Sequence, residues 1–177
     1  TRHLFTSSSC GVCGKASLDA VHTVTCHYPT PGHPQIEPST LYQLPGLLRD
    51  AQATFELTGG LHAAGLFQTD GGLLLLREDI GRHNAVDKVI GAAFQHGMTP
   101  PFKDSLLMVS GRAGFELVQK ATMAGIPLLA AVGAPSSLSV ELAASGGLTL
   151  IGFLRGERFN VYTCPERIRL QQMKTAG

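Results

Sequence analysis

Two thiols three positions apart, Cys10 and Cys13 in the stretch TSSSCGVCGK (Thr6 to Lys15), are the first residues here that could do chemistry. A structural zinc site needs four ligands, commonly from a second C-x-x-C or an H-x₃-H pair. The chain has no second C-x-x-C, and Cys26, His27 and Cys164 lack knuckle spacing, so zinc is not favoured. A thioredoxin-like redox pair belongs at a helix start behind a strand. That fit is partial, because a glycine follows each thiol and helix-like sequence resumes only near Ala16. The third reading is a loop whose thiolate accepts and delivers a sulfur atom as a persulfide. Gly11 and Gly14 would let such a loop swing between donor and acceptor, and the Lys15 cation would favour the thiolate. An inert buried pair is the commoner fate of cysteines, but serines and glycines offer no apolar surface to bury them in.

Further along, three polar clusters stand where short apolar runs end. REDIGRHNAVDK packs Arg77, Glu78, Asp79, Arg82, His83, Asn84, Asp87 and Lys88 around Gly81. SGRAGFE puts Ser110, Gly111 and Arg112 at the end of a buried strand and the start of a helix, where backbone N–H groups beside a guanidinium suit a phosphate. APSSLSVE repeats the theme with hydroxyls. FLRGERFNVY sets Arg155 and Arg158 around Gly156, either a plain basic hairpin or a grip on a pyrophosphate. No Walker A and no G-x-G-x-x-G follows a strand, so an ordinary nucleotide-hydrolysing or Rossmann site is unsupported. His62 in GLHAAG has the look of a helix start. A zinc deaminase would carry H-x-E there, but the glutamate position is Ala64 and no P-C-x-x-C follows, so His62 reads as filling a polar pocket.

The elements that must position these residues follow from periodicity. LYQLPGLLRDAQATFELTGG reads as a helix, with Pro45 in its first turn and Gly59-Gly60 as its stop. LLLLRED, bounded by the TDGG turn, reads as a fully buried strand. GRHNAVDKVIGAAFQHG is helical, with Ala85, Val86, Val89, Ile90 and Ala93 on one face. SLLMVSG, IPLLAAVGA, LTLIGFLR and RFNVYT read as strands. RAGFELVQKATMAG reads as a helix presenting Phe115, Leu117, Val118 and Met123, and SSLSVELAASG as a helix opened by Ser136 or Ser137. The alternation predicts an α/β domain with helices covering a mostly parallel sheet.

Bulk properties narrow the class. The 177 residues suffice for one domain with a sizeable core; 44% hydrophobic residues is ordinary for a globular chain, and 15% charged residues is on the low side. A net charge of +1 gives no global case for nucleic acid, and the absence of Trp weakens any base-stacking platform. Four cysteines without a secretory signal are not a disulfide framework, and apolar runs such as GIPLLAAVGA are too short to span a membrane. A cytoplasmic protein with reduced thiols is expected, and Cys26 and Cys164 read as incidental.

Taken together, SSSCGVCGK, TGGLHAAGLF, REDIGRHNAVDKVIG, SGRAGFELVQKATMAGIPLLAAVGAPSSLSVELA and GFLRGERFNVYT closely resemble the FdhD family of accessory sulfurtransferases required for formate dehydrogenase activity. The resemblance runs from about Thr6 to Arg167. It implies a cytidine-deaminase-like three-layer sandwich, a mostly parallel or mixed sheet flanked by helices. Residues 1–15 would be a mobile cysteine loop with its leading segment, and 16–177 a single α/β domain, with the family's N-terminal region absent. It implies persulfide transfer from a cysteine desulfurase to the molybdenum bis(molybdopterin guanine dinucleotide) cofactor, bound as substrate, with formate dehydrogenase as the acceptor enzyme and no structural metal. Cys10 would bear the persulfide and Cys13 would be its partner. Phe153, Leu154, Arg155, Gly156, Glu157 and Arg158 match the family's cofactor-contacting stretch. Position and chemistry add Arg82, His83, Ser110, Gly111 and Arg112 as phosphate or guanine contacts. A cofactor with two dinucleotide arms suits a two-fold homodimer. No nucleic acid or membrane partner is expected. The alternative is a cofactor-binding chaperone that transfers no sulfur.

Overall fold

Side chains on successive strand residues point to opposite faces, so continuous apolar runs demand cover on both sides of a sheet. The computed structural model, which describes residues 27–52 and 60–169, supplies that cover as three layers. Its elements are α1 (Pro38–Asp50), β1 (His62–Gln68), β2 (Leu73–Asp79), α2 (Arg82–Gln95), β3 (Ser105–Val109), α3 (Phe115–Met123), β4 (Leu128–Ala131), α4 (Ser137–Ser145), β5 (Thr149–Arg155) and β6 (Arg158–Val161). They build one six-stranded sheet in the order β2-β1-β3-β4-β5-β6. Ala64, Leu66, Leu107, Val109, Leu129 and Leu150 face a core shared with α2, α3 and α4. Ala63, Phe67, Leu106, Met108, Leu128 and Ile151 face the other core, where α1 lays Leu41, Leu44 and Leu48. The sheet is mixed: β3-β4 and β4-β5 pair in parallel, whereas β1 is antiparallel to both β2 and β3, and β6 to β5.

Several expectations needed correction. The HAAGLFQ segment is not a helix start but β1, flanked on both sides in the sheet. Its apolar residues fit a strand because five in succession are buried, which serves both cores at once. Gly65 is required there: a Cβ would lie 2.7 Å from the Phe67 ring and 2.8 Å from Leu48 of α1. The LLLLRED run is an edge strand rather than a fully buried one, with Leu73 and Leu74 exposed. Pro38 takes the first turn of α1, while Pro45 lies inside that helix. Met123 closes α3 on its exposed side. The third helix begins at Phe115, which leaves Arg112 in the loop before it.

At the other end of the sheet, Arg167 is 1% exposed and is among the largest fully buried side chains described. Its Nε donates to the His33 carbonyl at 2.7 Å, and Nη2 to that of Thr30 at 3.0 Å. Nη1 donates to the Gly147 carbonyl at 2.8 Å and to Thr149 Oγ1 at 2.9 Å. A planar fork of fixed donors can serve such scattered acceptors where a flexible ammonium cannot. One side chain thereby ties residues 30–33 to the start of β5. Replacing Arg167 by Met should lower unfolding stability by about 3 kcal/mol, through buried carbonyls left without donors, and Arg167→Lys should recover only part of it. Urea unfolding midpoints of the two variants check this.

Candidate functional site

Strand direction decides where the polar clusters meet. Because β1 opposes both β2 and β3, strands β2, β3, β4 and β5 all run the same way and end on one rim. The helices that follow three of them therefore begin on that rim: α2 after β2, α3 after β3, α4 after β4. Each helix start carries backbone N–H groups without intrahelical partners and about half a positive charge. The three polar clusters read from the sequence are thus neighbours in space.

The start of α2 is built by Asp79. Its Oδ1 accepts from the Gly81 amide at 2.9 Å and from Asn84 Nδ2 at 3.1 Å, and its Oδ2 pairs with Lys88 Nζ at 2.5 Å. The hydrogen bond from Lys88, followed by those from Gly81 and Asn84, holds the Asp79 carboxyl down to about 2. The N-caps of α2 and α3 are Gly81 and Gly114, and neither helix has a side-chain cap bond. Ser and Asp are the usual caps, so these two ends keep donors for something else. Helix α4 is capped by Ser136, whose Oγ accepts from the Ser139 amide at 3.2 Å.

Between the three helix starts lies a cleft of about 190 Å³ lined by Arg82, Arg112, Gly114, Pro135 and Ser136 among others. Two guanidiniums and three helix N-termini around one hollow are groups whose chemistry suits phosphate oxygens. Beside it, a second hollow of about 260 Å³ is lined by Phe153, Arg155, Arg158, Phe159 and Asn160. The end of β5 that lines it is bonded to the residues just before Ala134 and Pro135 of the first. The Phe153 amide donates to the Gly133 carbonyl at 3.1 Å, and Arg155 Nε to that of Val132 at 3.4 Å. Gly152 is pressed there so closely that a Cβ would stand 2.8 Å from Pro135 Cδ. Phe153 follows with φ 52, and the β5-β6 register shifts between Gly152 and Arg155. Positive φ is strained for a bulky residue, and here the ring is 43% exposed at the mouth of the hollow.

The remaining sequence candidates sort by placement. Leu154 is buried with the α1-side core, and Gly156 and Glu157 form the turn of the β5-β6 hairpin. Ser110 joins strands: its Oγ accepts from the Ala63 amide at 2.9 Å, and its own amide donates to the Ala63 carbonyl. Gly111 makes room for His62, whose Nδ1 would lie 3.2 Å from a Cβ at that position. His83 does not line the cleft; its Nε2 pairs with Glu116 Oε2 at 3.1 Å. Burial lowers the His83 pKa despite the opposing effect of Glu116. Sequence reading passed over Gly114, Pro135 and Phe159 as lining residues, and Glu116 as the partner of His83. The shared direction of the strand ends was the signal that would have joined them. Cys10, Cys13 and Cys26 lie outside the described residues. Cys164 is half-buried, and burial, with Glu166 nearby, pushes its thiol pKa up. Among the described residues no group of three or more His, Cys, Asp or Glu is placed to hold a metal ion, and no helix is long and apolar enough to cross a membrane.

Comparison with known proteins adds to this geometry. A model of the FdhD/NarQ family matches residues 1–169. A protein of Streptomyces avermitilis named sulfur carrier protein FdhD is 57% identical over 178 residues, covering 99% of this chain and 62% of its own. One of the same name from Sulfolobus acidocaldarius is 46% identical over 170 residues, 96% of this chain and 64% of its own. The chain thus spans about three fifths of the length of the curated relatives it matches. Among solved structures, a protein of Desulfotalea psychrophila described as a formate dehydrogenase accessory protein superposes with a TM-score of 0.73. Its sequence identity is 30%, over 86% of this chain and 62% of that one.

Because its folded pKa is depressed from 3.8, Asp79 contributes stability that is present above that value and lost as pH falls through about 2. Carboxyl carbon chemical shifts should therefore show Asp79 ionised down to about pH 3. Asp79→Asn removes the charge from the Lys88 and Gly81 bonds, and should abolish this acid dependence and lower the melting temperature at neutral pH.

Proposed function

The chain belongs to the FdhD/NarQ family, and from that premise we propose that it is the cofactor-holding part of a sulfur carrier. In this reading Cys10, with Cys13 as its partner, takes a persulfide from a cysteine desulfurase. The carrier passes that sulfur to the molybdenum bis(molybdopterin guanine dinucleotide) cofactor destined for formate dehydrogenase. The cofactor is substrate, and the protein, a sulfurtransferase of the cytoplasm, acts as a homodimer offering one cleft to each dinucleotide arm. The names of the relatives support the sulfur-carrying role, and the name of the Desulfotalea protein supports the formate dehydrogenase connection.

The observation that carries the cofactor half is the meeting of Arg82, Arg112 and three helix N-termini in one cleft. A dinucleotide arm presents a pyrophosphate, and fixed N–H donors with bidentate guanidiniums are the groups that bind one with little reorganisation. The adjoining hollow offers Phe153 as a face for a flat base and Arg155 and Arg158 as further cations. Rigid strand ends would hold these groups, while Cys10 would supply the sulfur. The residues thus divide the task, one set keeping the acceptor still and the other donating the sulfur.

Two experiments test the two halves. Incubated with a cysteine desulfurase and L-cysteine, the protein should gain about 32 Da, removable by dithiothreitol and absent in Cys10→Ala. A gain that persists in Cys10→Ala contradicts the assignment of the thiol. Guanosine diphosphate should bind measurably by calorimetry, and Arg112→Ala should weaken it by about tenfold, the loss of one charge-assisted contact. Loss of binding with retained sulfur loading would separate the two roles; full activation of formate dehydrogenase by the Cys10→Ala, Cys13→Ala double variant would favour a chaperone that transfers no sulfur.

A further inference from the structure

Three like-signed helix ends and two guanidiniums around one hollow repel one another when no anion is present. Something must hold the walls at the spacing a phosphate needs. Two side-chain pairs cross between α2 and α3, and none of their four residues lines the hollow. Asp87 and Lys120 meet at 2.7 and 2.9 Å, in the second turn of each helix. His83 and Glu116 meet at 3.1 Å, each the second residue of its helix. Arg82, adjacent to His83, and Gly114, two residues before Glu116, line the cleft, whereas His83 and Glu116 do not. A carboxylate at the start of α3 is favourable to that helix's dipole. By reaching His83 it also bridges to the start of α2.

We propose that Glu116, acting through His83, is a positioning residue of the anion cleft: the pair fixes the distance between the two uncapped helix starts so that Arg82 and the N–H groups of α3 address the same phosphate. The inference rests on the reading of the cleft as a pyrophosphate site and deepens it. His83 then serves the ligand without touching it. Its imidazole is flanked by Arg82 and Asp87 on its own helix and by Glu116 and Lys120 on α3. The pair is about one-third exposed on each side, and the Asp87–Lys120 bridge remains when it is cut, so its loss should loosen the cleft and leave the fold intact.

The prediction separates positioning from simple charge. If Glu116 only adds a negative charge near an anion site, Glu116→Gln should tighten binding. If it positions, Glu116→Gln should weaken binding even though it removes a repulsive charge. Pyrophosphate titrated into the full chain at pH 7.5, where burial keeps His83 neutral, should bind about threefold to fivefold more weakly in Glu116→Gln, the scale of one partly exposed hydrogen bond. The double variant His83→Gln, Glu116→Gln should be no worse than the weaker single, because both act as one unit. His83→Gln keeps a donor toward Glu116 and removes the titration. The ratio of wild-type to His83→Gln affinity should therefore rise only as pH falls below 6.5, where the imidazole, its pKa lowered by burial, gains its charge; melting temperatures confirm that each variant is folded. Tighter binding in Glu116→Gln, additive losses in the double variant, or a ratio flat with pH would overturn the positioning role while leaving the cleft reading in place. Failure of wild-type protein to bind pyrophosphate, with Arg112→Ala making no difference, would overturn the cleft reading and the positioning role together.

Discussion

Everything at the rim depends on strand direction. Strands β2, β3, β4 and β5 run the same way although β1 is inserted between the first two. A chain that leaves successive strands at one edge must begin each following helix at that edge. The consequence is electrostatic: three helix N-termini, each with its unsatisfied donors, converge before any side chain is considered. The arginines sharpen a field that the topology already provides. The residues in the sheet interior are accordingly plain, with β3 and β4 buried throughout and built largely from Leu and Ala.

Around that field, most of the charged residues in REDIGRHNAVDK are engaged with one another or with the next helix. Asp79 organises Gly81, Asn84 and Lys88; Asp87 meets Lys120; His83 meets Glu116. The cluster is scaffolding for the start of α2, and the cleft itself receives Arg82 from it. Dense charge in a short motif thus signals a helix start built under electrostatic load. A glycine at each of two N-caps, where an oxygen-bearing side chain is usual, keeps those donors unclaimed.

Much of this was legible in sequence. The α/β alternation from Leu73 onward, a serine cap narrowed to Ser136 or Ser137 and the gathering of polar residues at strand ends all follow from periodicity and turn chemistry. The failures share a cause. HAAGLFQ carries no alternation, because a strand covered on both faces need not alternate, and Ala and Gly are weak evidence for any element. Without β1, the antiparallel insertion was invisible, and so was the edge position of LLLLRED. Four leucines read as a buried strand, yet an edge strand can hold two of them partly in solvent. The partnership of His83 with Glu116, 33 residues apart, depends on two helices starting side by side and has no local signature. The roles given to Cys10 and Cys13 rest on their motif and family, since both precede the described residues.

The place where a phosphate-bearing ligand settles decides whether the rim cleft binds anions. A crystal of the full chain soaked with guanosine diphosphate measures that directly. Density for the diphosphate among Arg82, Arg112 and the starts of α2, α3 and α4, with the base toward Phe153, is the predicted result. A diphosphate held elsewhere, with the rim cleft left to solvent, would contradict the central claim that strand direction has built this protein's anion site.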